Sequence, residues 1–382
     1  MKLQNNISEK CGSIAKYLTD SVSIAPLVTF RIVFGLMMVF STIRFMYLGW
    51  IEDHYLEPIF HFKYFGFYWV KVLPEFWMYL IHYIMLVAAV GITLGGFYRI
   101  STIVFFLLFT YTELIDITYY LNHYYFVSIV SMLLIFLPAN RYFSLDVLRH
   151  PSTYSKVIPR WSITIIKLQL AIVYTYAGLA KINYDWLVLA LPLKIWIPAN
   201  DQLPLIGNMF KWEITPYIFS WIGMLYDCTI VFFLSIKRTR LLAYISVIIF
   251  HTITGMMFQI GVFPIVMMCA TLIFFSEEFH LKGINFLRGI FKKKNIEEHH
   301  SITPTKNFST PPILTAFLIL FVTFQILFPW RYLLYPGNIF WTEEGYRFSW
   351  RVMLMEKAGT ATFLVKDSIS GHEGAVIIEQ FL

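Results

Sequence analysis

The stretch Ser162-Ile163-Thr164-Ile165-Ile166-Lys167-Leu168-Gln169-Leu170-Ala171-Ile172-Val173-Tyr174-Thr175-Tyr176-Ala177-Gly178-Leu179-Ala180-Lys181 has a single ionisable side chain, Lys167, before its closing lysine. Coiled as an α-helix it is long enough to cross the ~30 Å hydrocarbon core of a bilayer. Comparable apolar runs recur on both sides of it, at 24–48, 78–98, 101–121, 123–138, 217–235, 240–258, 261–276 and 312–329. Of the 382 residues, 58% are hydrophobic and 14% are charged, whereas a soluble domain is about a quarter charged. The 19% aromatic content suits side chains placed at membrane interfaces. These observations predict an all-α polytopic membrane protein with about nine transmembrane helices. A short β segment follows at the C-terminus.

The net charge of +7 is not gathered into a nucleic-acid-binding face, because the basic residues lie between the apolar runs. They alternate. Lys2, Lys10 and Lys16, then Arg99, then Arg141, Arg149, Lys156 and Arg160, then Lys237, Arg238 and Arg240, and finally the run from Lys282 to Lys306 fall in one set of loops. The other set holds only Lys63, Lys71, Lys181, Lys194 and Lys211 before the last run. The positive-inside rule makes the basic side cytoplasmic. The chain then divides into a cytoplasmic N-terminal segment (1–23), an eight-span bundle (24–276), a cytoplasmic basic linker (277–311), a ninth span (312–329) and an external segment (330–382). A tight turn near Leu121-Asn122 joins the third and fourth spans. From Ala361 onward apolar and polar residues alternate, turn at Ser370-Gly371-His372-Glu373-Gly374 and resume, which predicts a hairpin. Cys11, Cys228 and Cys269 have neither a disulfide framework's pattern nor metal-ligand spacing, and no metal is expected. The N-terminus lacks the apolar core of a cleaved signal peptide.

Ionisable residues within spans mark function by default. Glu113, Asp116, His123, Lys181, Asp185, Asp227 and His251 come from six segments and converge on the external level, which predicts a polar cavity near that face. Each has a plainer reading. Lys181, beside Asn183, Tyr184, Asp185 and Trp186, fits a lysine snorkelling to the interface. His123, followed by Tyr124 and Tyr125, fits an interfacial hydrogen-bonding residue. Asp116 and Asp227 fit buried partners of basic residues such as Arg44, and Lys167 fits a structural ion pair.

Several segments, taken in order, resemble the vitamin K-dependent γ-glutamyl carboxylases. Gly178-Leu179-Ala180-Lys181-Ile182-Asn183-Tyr184-Asp185-Trp186 resembles that family's lysine-bearing segment. Phe30-Arg31, Tyr98-Arg99, Asn122-His123, Ala139-Asn140-Arg141-Tyr142, Phe250-His251, Ile260-Gly261 with Phe263, and Trp341-Thr342 followed by Tyr346 and Ser349-Trp350 match in sequence order. The resemblance implies that reduced vitamin K, or a related hydroquinone such as menaquinol, is deprotonated and reacts with O2 to give a strong base. That base takes a γ-proton from a glutamyl side chain, CO2 captures the carbanion, and the quinol leaves as its epoxide. It implies Lys181 as initiating base and His123 as its assistant. Asn122, His251 and Trp186 become quinone- or substrate-binding residues, and Asp116, Asp227 and Asp185 shape the site. A lysine accepts a proton only when neutral, and apolar surroundings favour that form.

The implied partners are membrane lipid and a glutamate-containing peptide or protein. The implied location is the bacterial inner membrane, or the endoplasmic reticulum with the site in the lumen. Two departures stand out: Ala180 replaces the first of two adjacent lysines in vertebrate members, and little of their large extracytoplasmic domain follows before Leu382. A non-catalytic membrane protein that binds quinone or lipid, and an epoxidase without carboxylation, therefore remain alternatives.

Overall fold

A computed structural model of the chain describes residues 12–203, 207–258, 260–290, 308–357, 359 and 361–376. Every apolar run becomes helical: α1 (Ala25–Tyr47), α2 (Glu75–Leu94), α3 (Tyr98–Glu113), α4 (Asn122–Phe136), α5 (Trp161–Ala180), α6 (Thr215–Ser235), α7 (Arg240–Met257), α8 (Phe263–Ala270) and, beyond an amphipathic α9 (Glu277–Ile290), α10 (Pro312–Leu327). Among the described residues, six of these helices are long and apolar enough to cross a membrane, or seven if the bent pair of α8 and α9 forms one span. The expected nine spans are not shown: the nine runs give helices of unequal length, of which six or seven among the described residues could cross. The 16 residues of α3 and the 15 of α4 fall short of the ~20 that a straight crossing needs.

The tight turn expected at Leu121-Asn122 is instead a longer connection. Helix α3 stops at Glu113, and Asp116 caps a 3₁₀ turn, Ile117–Tyr119, by accepting from Thr118 N at 2.9 Å. Residues 277–290, expected as linker, form α9, which turns 115° away from α8 and packs on α1. The rest of that linker, through residue 307, lies outside the described residues.

One continuous core joins α1 to α5 with α7 and α8, built on Phe34, Phe105, Phe126, Leu134, Leu170 and Val247. Within it the fully buried Arg31 guanidinium donates to Ala139 O and Phe143 O, each at 2.7 Å, pinning α1 to the chain after α4. Two short strands, β1 (Ser21–Ser23) and β2 (Val157–Pro159), pair antiparallel with Val22 opposite Ile158 and tie the start of α1 to the start of α5. The predicted hairpin forms as β3 (Leu364–Lys366) and β4 (Glu373–Ala375), with Val365 opposite Gly374.

Candidate active site

Helix α5 ends deep in the bundle. Its closing residue, Lys181, is only 7% exposed and its Nζ lies 2.7 Å from Asp227 Oδ2. Asp227 is twelve residues beyond Thr215, the first residue of α6, or about 18 Å along the helix axis. Lys181 therefore does not snorkel to an interface. It meets a carboxylate midway along a neighbouring helix, and its ammonium also donates to Ala177 O at 3.2 Å. Gly178 allows the approach: a Cβ there would lie 2.5 Å from Cys228 Sγ and 2.7 Å from Cys228 N. Because α5 stops early, the chain from 182 to 214 folds over its end in short helical turns. Asn183 caps the first of these by accepting from Trp186 N at 2.9 Å. Trp186 is locked by reciprocal bonds to α6, its Nε1 donating to Ser220 O at 2.9 Å while the Ser220 hydroxyl donates to Trp186 O.

These groups line a cavity of about 440 Å³. Its walls are apolar, with Phe219, Ile222, Ile249 and Phe250 among them. Ile222 and Ile249 are also exposed on the outer surfaces of α6 and α7, so the cavity has a flank toward the bilayer. The polar groups are few: Lys181, Asp227, Tyr226, Ser246, Thr254, and His251 with Tyr174, whose Nε2 and Oη lie 2.9 Å apart.

His123 opens onto a different cavity. This second space, about 290 Å³, is lined by Asn122, His123, Glu343, Tyr346, Arg347 and Arg351 among others. Ile260, Phe263, Val352 and Met353 line both spaces. The expected single cavity is therefore two adjacent chambers. The chain beyond α10 folds back to close them: Asn122 Nδ2 donates to Arg351 O at 2.8 Å, Phe348 N donates to Tyr120 Oη at 2.8 Å, and Trp350 stacks on Tyr125 with centroids 4.8 Å apart. Glu343, Phe348, Trp350 and Met353 all have φ between +52° and +59°, and strained backbone of this kind collects at functional sites.

The other expected residues lie apart. Asp116 pairs with His61 Nδ1 at 3.2 Å, Asp227 with Lys181, and neither with Arg44, which instead lies over the Trp50 ring. Asp116 lines neither chamber, and Asp185 is exposed. Lys167 lies 5.4 Å from the Phe274 ring, and no carboxylate is within 4.0 Å of it among the described residues. Sequence reasoning missed Arg347 and Arg351. The available signal was two arginines four residues apart, flanking Ser349-Trp350, in a segment otherwise read only as the approach to a hairpin.

Residues 20–279, more than half of the chain, match the model of the HTTM domain. The chain belongs to the HTTM domain family. Residues 310–382 of this HTTM protein match a second model, the lumenal domain of vitamin K-dependent gamma-carboxylase. The order of the two domains makes the chain a relative of the γ-carboxylases and, with its apolar helices, an integral membrane protein. No solved structure matches the chain.

Proposed function

We propose that this HTTM protein couples oxygenation of a vitamin K-type hydroquinone to carboxylation of a glutamyl side chain, with Lys181 as initiating base. The observation that carries this reading is the buried Lys181–Asp227 pair at one end of an apolar cavity with a bilayer flank. The walls suit a quinol ring with an isoprenoid tail, and the few polar groups suit its hydroxyls. Bound there, the quinol would supply reducing equivalents for reaction with O2, and hence the strong base that the carboxylation needs.

The contribution of the protein follows from its side chains. Asp227 Oδ2, 2.7 Å from Lys181 Nζ, fixes where that nitrogen points. As a neutral amine Lys181 Nζ would accept a proton from a quinol hydroxyl. The Tyr174–His251 hydrogen bond orients a second polar group toward the same cavity, and the apolar walls exclude water from a base too strong to survive in it. The second chamber suits the acidic substrate. Arg351 Nε is buried without a partner there among the described residues and its guanidinium lies over the Tyr332 ring, while Arg347 already pairs with Glu343 at 3.2 Å. Arginine binds a carboxylate through charge-assisted donors, so Arg351 would hold the glutamyl group in the chamber that His123 and Asn122 also line.

The test is epoxide formation and labelled-CO2 incorporation by purified protein given vitamin K hydroquinone, O2 and a glutamyl peptide. Lys181→Ala should lose about 10²–10⁴-fold in epoxidation rate on the folded fraction, with partial restoration by small amines. Lys181→Arg should not restore it, because guanidinium stays protonated. Near-wild-type epoxidation by Lys181→Ala would sink the assignment. An inactive wild type that binds the quinol would establish the non-catalytic alternative, and epoxide without labelled product would establish an epoxidase.

A further inference from the structure

Resting on that reading, we infer that Phe263 is the partition between the two chambers, and that its ring couples the two half-reactions by keeping the quinol chamber dry. Phe263 lines both spaces. Its ring centroid is 5.6 Å from that of His123 on one side and 5.9 Å from that of His251 on the other. Among the described residues it is the one aromatic ring in the shared wall, which Ile260, Val352 and Met353 also line.

The local backbone holds the ring in place. Gly261 has φ +60°, a conformation that costs glycine little and lets the chain turn sharply after α7. Phe263 is the first residue of α8, and Pro264 follows within the first turn, where its ring pre-sets helical geometry. Phe263 N also donates to Ile260 O at 3.4 Å. The side chain thus stands at a rigid helix start between a mainly apolar chamber and one lined by arginines and a glutamate. A base generated beside Lys181 would meet water first if the chambers merged. With the ring present, the base meets a glutamyl γ-carbon only where that side chain reaches past the ring edge from the His123 side to contact distance of about 3–3.5 Å, and bulk water does not follow it. Phe263 is on this account a positioning residue that acts through water exclusion, and it bonds to neither reactant.

The experiment has a labelling arm and a turnover arm. Met267 lines the quinol chamber and is buried. In lipid nanodiscs, with Cys11, Cys228 and Cys269 replaced by Ser, Met267→Cys should react slowly with a hydrophilic thiol reagent. Adding Phe263→Ala should raise that rate ~10-fold or more, while Phe263→Leu, which keeps an apolar plug, should stay near the parent rate. Equal rates in all three would overturn the partition. In turnover, Phe263→Ala should keep forming epoxide but lose labelled product per epoxide by ~5-fold or more, and Phe263→Leu should largely restore the ratio. An unchanged ratio in Phe263→Ala would overturn the coupling role. A wild type without turnover would sink the proposed function, whereas the labelling arm tests the partition independently of it.

Discussion

Lys181 and Asp227 form the buried ion pair of the quinol chamber, and its energetics are lopsided. Breaking a buried pair by removing one partner costs about 3–5 kcal/mol, because the other charge stays buried and unpaired, whereas replacing both with apolar residues is often neutral or stabilising. Lys181→Met and Asp227→Leu should therefore each lower the thermal stability of the purified protein. The double variant should recover most of the loss while remaining inactive in epoxidation. Additive losses in the double variant would show that the two charges do not depend on each other. Such recovery would mean that the pair is kept for chemistry at the expense of stability. The sequence made each residue visible as an ionisable group in an apolar run. It could not make the pair visible, because a contact across 46 residues depends on how far α5 penetrates before it stops. For the same reason Arg44, a nearer match by composition, was the wrong partner.

At the scale of elements, the helices were legible and their ends were not. A run of apolar residues long enough to span a bilayer has few other stable forms, so all nine runs became helices. The ends depend on local side-chain chemistry: Asp116 captures Thr118 N and closes α3 early, and the strained C-terminal segment has no periodicity to read. The decisive element contact is α5 against α6 at Gly178, where small residues let backbones approach closely. Gly178→Ala places a methyl group against Cys228 N and Sγ. Overpacking of that kind costs about 1–3 kcal/mol, and here it also pushes Lys181 away from Asp227. Gly178→Ala should lower both thermal stability and epoxidation, whereas Cys228→Ser, which adds no atom to the contact, should leave both near wild type. Unaltered epoxidation in Gly178→Ala would mean that the pair does not depend on this approach.

For the whole molecule, the charge pattern read on the fold supports one orientation of the site in the membrane. Helix α5 runs from Trp161 to the site, α6 returns from Thr215 past Asp227 to Ser235, and α7 runs from Arg240 back toward His251. Lys156, Arg160, Lys237, Arg238 and Arg240 therefore gather at the end of the bundle away from the chambers, while the segment closing the second chamber lies at the other end. By the positive-inside rule we propose that the basic end is cytoplasmic and that the chambers open externally. A glutamyl substrate would then be met after export, while the quinol enters from the bilayer. Ser370 and Arg238 are both exposed and lie at opposite ends of this scheme. In intact cells, on a background free of other cysteines, Ser370→Cys should react with an impermeant thiol reagent and Arg238→Cys should react only after permeabilisation. The reverse pattern would place the chambers on the cytoplasmic side and require the glutamyl substrate to be an internal protein.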